Sequence, residues 1–185
     1  MKETIKRNVK LIGKRPIMFD RYPGDNKTQL PPEEKFYYER GTKKLVIPST
    51  NILSLLGAQN TDSAAKLEVG RGYKAIAKAC YGFVSIDPID IPLSEGGKQM
   101  TFKGWGDKMY VDDWHVPRVK GGIPQPTKRP VIEVPWELEF ELTLFSNGEG
   151  LDEHLLKRLF VRGGEAIGLG SFRGAFGKYA VESWK

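Results

Sequence analysis

The chain has 185 residues, 39% hydrophobic and 28% charged, enough for one domain with a sizeable core. Its net charge of +6 and pI near 9.3 favour a polyanionic partner such as nucleic acid. One cysteine, Cys80, excludes an intramolecular disulfide, no apolar run approaches the ~18 residues of a membrane span, and the basic N-terminus lacks a signal-peptide core; these point to a cytoplasmic protein with no membrane partner.

In "TIKRNVKLIGK", Ile5, Val9 and Leu11 alternate with Lys6, Asn8 and Lys10, the pattern of a half-buried strand. A long connection rich in turn residues follows, and "KFYYERGTKKLVI" reads as a hairpin turning near Gly41. "PSTNILSLLGAQ" opens a helix with Ser49 or Thr50 as N-cap, and a second helix spans about Tyr73 to Phe83 after a polar break. Cys80, in the apolar "AIAKACYGFV", reads as a small buried hydrophobe. Residues 87–130 are dense in Gly and Pro and read as strands carrying a long hairpin or insertion.

In "VIEVPWELEFELTLF", Ile132, Val134, Trp136, Leu138, Phe140, Leu142 and Leu144 form one apolar face, with Glu133, Glu137, Glu139 and Glu141 opposite: one long amphipathic strand, with Trp136 in the core. "GLDEHLLKRLF" follows as an amphipathic helix, with Asp152 and Glu153 at its positive end and Gly163 and Gly164 terminating it. "AFGKYAVESW" closes the chain as a strand. The order matches an α+β, ferredoxin-like (RRM-like) βαββαβ core, a single domain over residues 1–185 with 87–130 as a Gly/Pro-rich insertion.

Four glutamates in a row would repel phosphates. In such a sheet, however, the first and third strands are neighbours, so Lys6 and Lys10 face the glutamates, each pair contributing roughly 0.2–1 kcal/mol. That face is expected to be a charge-balanced lattice and not the ligand surface.

The segment Arg162–Val181 holds six glycines and three cations, and after the helix it runs Gly168, Gly170, Arg173, Gly174, Gly177 and Lys178. Glycines let a backbone approach a phosphate and expose successive N–H groups. A glycine-rich turn packed on the core fits the same residues. The loop follows a helix and enters a strand, which excludes a dinucleotide fingerprint, and no P-loop is present.

"GLGSFRGAFGKYAV", "KKLVIPSTNILSLLGA" and "GKRPIMFDR" together resemble the RAMP superfamily, the repeat-associated RNA-binding proteins of CRISPR systems. The likeness is to that family's C-terminal glycine loop, the strand and "IPGSSLKGALR" motif opening its first helix, and its first strand with the following segment. Here Ser49, Thr50 and Asn51 replace the small-polar run, Gln59 stands where the family has a basic residue, and Ala175-Phe176 where it often has Gly-Phe. A small phage-type relative is one form such a chain takes. The resemblance implies a ferredoxin-like core holding single-stranded RNA, or DNA, by its backbone, in subunits that self-associate or join a ribonucleoprotein. Cations at phosphate spacing and aromatic wedges would do this. The candidates are Lys14, Arg15, Arg21, Lys43, Lys44, Arg71 and Lys74, then Arg118, Lys120, Lys128 and Arg129 in the insertion, and Arg173 and Lys178 in the final loop beside Gly168, Gly170 and Gly174. Trp105, Tyr110 and Trp114 are candidates to stack on bases.

No Cys/His cluster has metal-ligand spacing, no nucleophile motif appears, and no cofactor is implied. Asp112-Asp113 fits either a metal held with substrate phosphates or a turn cap. The expectation is a non-enzymatic single-stranded nucleic-acid-binding protein. The alternatives are a phage-like structural or interaction protein without a nucleic-acid ligand, and a RAMP-type endoribonuclease with His115 as base.

Overall fold

The computed structural model describes residues 4–115, 127–146 and 149–185. In chain order its elements are β1 (Thr4–Gly13), β2 (Ile17–Met18), β3 (Val46–Pro48), α1 (Ser49–Gly57), α2 (Ala64–Val69), α3 (Tyr73–Phe83) and β4 (Val84–Asp87). Then come β5 (Asp90–Glu95), β6 (Lys98–Gln99), β7 (Met109–Asp112), β8 (Arg129–Ile132), β9 (Glu137–Phe145), α4 (Glu153–Ala166) and β10 (Tyr179–Trp184). This is an α+β protein with two antiparallel sheets.

The main sheet runs β10-β1-β9-β5-β3, with β4 also paired to β9 and β6 to β5. β1 and β9 are joined over nine residues, from Thr4↔Phe145 to Ile12↔Glu137, which seats Val9 against Phe140 and Leu11 against Leu138. The second sheet, β2-β8-β7, is short and lies beside the end of β1.

The helices cover the apolar face of the main sheet. Ile52, Leu55 and Leu56 of α1, Ile76 and Cys80 of α3, and Leu156, Leu159 and Phe160 of α4 join Val9, Leu11, Leu138, Phe140 and Leu142 in one core. Each such Leu or Phe, once buried, stabilises the fold by about 1.5–3 kcal/mol. On the opposite face Lys6 and Lys10 pair with two of the four glutamates of the expected lattice, Glu141 and Glu137, and Glu133 lies before β9. Lys6 Nζ lies 2.9 Å from Glu141, and Lys10 Nζ lies 3.6 Å from Glu137 and 3.2 Å from Glu182 of β10.

Three boundaries differ from the sequence reading, each for a packing reason. The expected long strand is two strands: Ile132 ends β8 in the small sheet, and the chain crosses Val134-Pro135 before β9 enters the main one. Ile132 and Trp136 are both fully buried on either side of the break, and in β8 the adjacent Val131 is buried as well, packing with Met18 and Phe176. Helix α1 begins one residue earlier than a Ser/Thr cap allows, with Pro48 as N-cap and no side-chain cap bond. Gly163 and Gly164 do not end α4, which runs to Ala166. A Cβ at Gly164 would fall 2.5 Å from the Tyr179 carbonyl oxygen, and one at Gly163 would fall 3.0 Å from Leu55, so the pair is a close-approach face inside the helix. The short helix α2 sits where the sequence shows only a polar break. The hairpin near Gly41 is present, with Tyr38 bridged to Leu45 and the Glu39 amide donating to the Lys44 carbonyl.

A candidate nucleic-acid interface

Three segments meet at the end of β1. The Lys14 and Arg15 amides both donate to the Lys178 carbonyl, at 2.7 and 3.2 Å, and the Gly177 amide donates to the Pro16 carbonyl at 2.7 Å. Met18 bridges Ser171, so residues 14–18 run along the glycine loop. Met18 also belongs to β2, which pairs β8, which pairs β7, and β7 ends at Asp112. The chain thereby brings Lys14, Arg15 and Lys178 to the same end of the molecule as the turn that carries Trp114.

Glycine in the loop is required by packing and turn geometry. Gly170 has a φ of 78°, and a Cβ there would fall 2.4 Å from the Met18 carbonyl oxygen; at Gly177 the clash would be with the Leu169 carbonyl. Gly168 is likewise closed in, against Phe176 and Gly177, whereas Gly174 turns in open space. The loop is thus clamped to the β1–β2 connection, with its middle, from Ser171 to Gly174, left toward the surface.

Arg173 is half-buried and holds the connection between α1 and α2. Its Nη2 donates to Thr61 Oγ1 at 3.0 Å and to the Asp62 carbonyl at 3.2 Å. Burial lowers its pKa from the ordinary arginine value, against the opposing pull of Asp62 and Tyr81. A cleft of about 240 Å³ lies beside it, lined by Thr61, Asp62, Ala166, Ile167 and Gly174.

The remaining candidates fall into distinct settings. Among the described residues, Lys14, Arg15, Arg71, Lys74 and Lys178 form no ion pair with a carboxylate, in contrast to the cations of the sheet face. Lys44 lies 3.9 Å from Glu39, and Lys43 sits 4.8 Å above the Tyr38 ring. Arg21 donates to the Glu34 carbonyl. Arg129, offered by the sequence as a surface cation, is drawn inward: its Nε lies 2.8 Å from Asp20, which Lys35 also approaches at 3.2 Å, while the Lys35 ammonium donates to the Lys128 carbonyl. Arg129 serves to tie β8 to the β2 connection. Lys128 itself is exposed. Arg118 and Lys120 lie outside the described residues.

The aromatics separate in the same way. Trp105 packs on Phe102, with ring centroids 4.8 Å apart, and on Phe36 at 6.0 Å. Tyr110 is half-buried against the small cluster of Met18, Val131 and Phe176. Trp114 is 85% exposed.

Asp112 caps a turn, one of the two roles its sequence allows. Its Oδ1 accepts from the Trp114 and His115 amides at 3.1 and 2.8 Å, and its Oδ2 lies 2.6 Å from His115 Nδ1. Burial alone would push this carboxyl up; the His115 amide and ring and the Trp114 amide outweigh it and hold the pKa below the usual value. Among the described residues no group of three or more His, Cys, Asp or Glu side chains is placed to hold a metal ion, and no helix is long and apolar enough to cross a membrane. The link from His115 to Phe176, whose rings lie 5.5 Å apart, had no signal in the sequence.

The fold is similar to that of a chain in the cryo-EM structure of type III-B Cmr-beta bound to cognate target RNA, with a TM-score of 0.53 and 9% identity. The match covers 99% of this chain and 60% of that one, so this chain spans about three fifths of its length. At that identity the likeness is one of fold. No family model and no curated protein matches the sequence.

Proposed function

We propose that this chain is a single-stranded RNA-binding protein with a RAMP-like, ferredoxin-type core, acting without catalysis as a repeating subunit of a ribonucleoprotein or filament. The strand order β10-β1-β9-β4, all antiparallel, supports that core. So does the likeness in fold to a chain of an RNA-bound assembly. The observation that carries the reading is local. The backbone joins Lys14 and Arg15 to Lys178, and none of the three has a carboxylate partner among the described residues, while Lys6 and Lys10 are engaged on the sheet face by Glu141, Glu137 and Glu182. Phosphates need cations that are not already paired. Sequencing whatever nucleic acid copurifies with the chain tests the reading, and RNA enrichment is the expected result. Filaments in electron micrographs only when RNA is added support the repeating subunit. Filaments or rings without nucleic acid favour a structural protein instead.

A second reading, RNA cleavage, is favoured by one contact. The carboxylate of Asp112 can only accept, so it orients His115 through Nδ1 and leaves Nε2 as the ring nitrogen without that partner, the orientation a general base uses. RNA cleavage that disappears in His115→Ala would establish it.

A further inference from the structure

The glycine loop and the β7–β8 hairpin meet through rings. Phe172 and Phe176 of the loop lie 5.8 Å apart at 32°, and Phe176 meets the His115 ring nearly perpendicular, at 76°. Phe172 holds a φ of 51°, a left-handed conformation that a bulky side chain keeps only where its surroundings impose it. Trp114, the neighbour of His115, leaves nearly its whole indole in solvent.

Beneath this turn sits Asp112, 8% exposed. A buried carboxylate is costly unless its oxygens are satisfied, and here both are, by the turn itself. One side chain therefore fixes the backbone under Trp114 and the plane of His115. The turn buries little apolar surface of its own, so its rigidity serves what it presents and not the core.

We propose that Asp112 is a positioning residue of the single-strand interface: it locks the turn that presents Trp114 and sets His115 on the buried Phe176, so that the hairpin, braced on the glycine loop, holds the exposed Trp114 indole as the face on which a base stacks. This rests on the single-strand-binding reading. Asp112 has the wrong charge to touch a phosphate and acts through Trp114 and His115. Stacking of this kind is sequence-tolerant, since every base has a π-face.

The test is anisotropy titration of the full chain with a fluorescein-labelled oligouridylate at several salt concentrations. Trp114→Ala is expected to weaken binding on the order of tenfold. Asp112→Ala should lose a similar factor, and the double variant little more than either alone, because both remove one device. Neither should change the salt slope, since no phosphate contact is lost. An Asp112→Ala variant that melts like wild type and binds like wild type overturns the proposal, as do additive losses in the double variant. Should Asp112→Ala fail to fold, His115→Ala takes its place: a severalfold loss supports the proposal and wild-type affinity overturns it. A wild type without salt-sensitive binding removes the underlying reading and the proposal with it. Wild-type binding with an unaffected Asp112 variant removes the proposal alone.

Discussion

The indole N–H of Trp136 donates to the Arg15 carbonyl at 2.8 Å, joining the largest fully buried side chain among the described residues to the segment that carries Lys14 and Arg15. The connection after β1 is therefore anchored in the core at the point where the candidate cations emerge. Trp136→Phe keeps a ring but loses the donor and leaves a gap, so it should cost about 2 kcal/mol of stability in urea unfolding. It should also weaken RNA binding under conditions where the variant remains folded.

The glycines of the final loop differ in what they tolerate. At Gly177 an added methyl would meet the Leu169 carbonyl, while at Gly174, with a φ of 92°, it would meet nothing within 4 Å. Gly174→Ala should cost about 1–2 kcal/mol from backbone strain alone. Gly177→Ala should cost more than that, or prevent folding. Equal midpoints in chemical denaturation would contradict the packing account of this loop.

Much of this was legible beforehand, and the failures have physical causes. Strand β1 and helix α3 follow their sequence patterns because a single core face dictates them. The break at Val134-Pro135 was invisible because Ile132 and Trp136 stay in phase though they serve different sheets. Gly163 and Gly164 looked like a helix stop because sequence alone cannot separate a glycine needed for its dihedral from one needed for a neighbour's approach. The same blindness attached to Arg129: only the fold brings Asp20 to it across the chain. Exposed cations such as Lys14 could be nominated from the sequence, but their freedom from carboxylates depends on where the glutamates go.

Arg173 has a structural task whatever else it does. Removing its guanidinium in Arg173→Ala deletes the bonds to Thr61 and the Asp62 carbonyl. A loss of about 1–2 kcal/mol is expected, with faster amide exchange over residues 58–63. If Arg173 also holds a phosphate, binding falls beyond what Arg173→Lys, which keeps the charge, produces.

Burial pushes the Cys80 thiol up to about 12. An unfolded thiol ionises near ~8.5, so both states are neutral below that and only the unfolded chain ionises above it. The Cys80 contribution to stability is therefore intact at neutral pH and is lost as pH rises from about 8.5 toward 12. The drop in unfolding midpoint between neutral and alkaline pH should be smaller in Cys80→Ala than in wild type. Iodoacetamide should label Cys80 only after unfolding.

The most direct test of the central claim is the salt dependence of single-stranded RNA binding. Contact with about four to six phosphates predicts a slope of log affinity against log salt of roughly −3 to −4, falling in magnitude by about 1.4 when Lys14 and Arg15 are both replaced by alanine. Binding that is absent, or that does not change with salt, would contradict it.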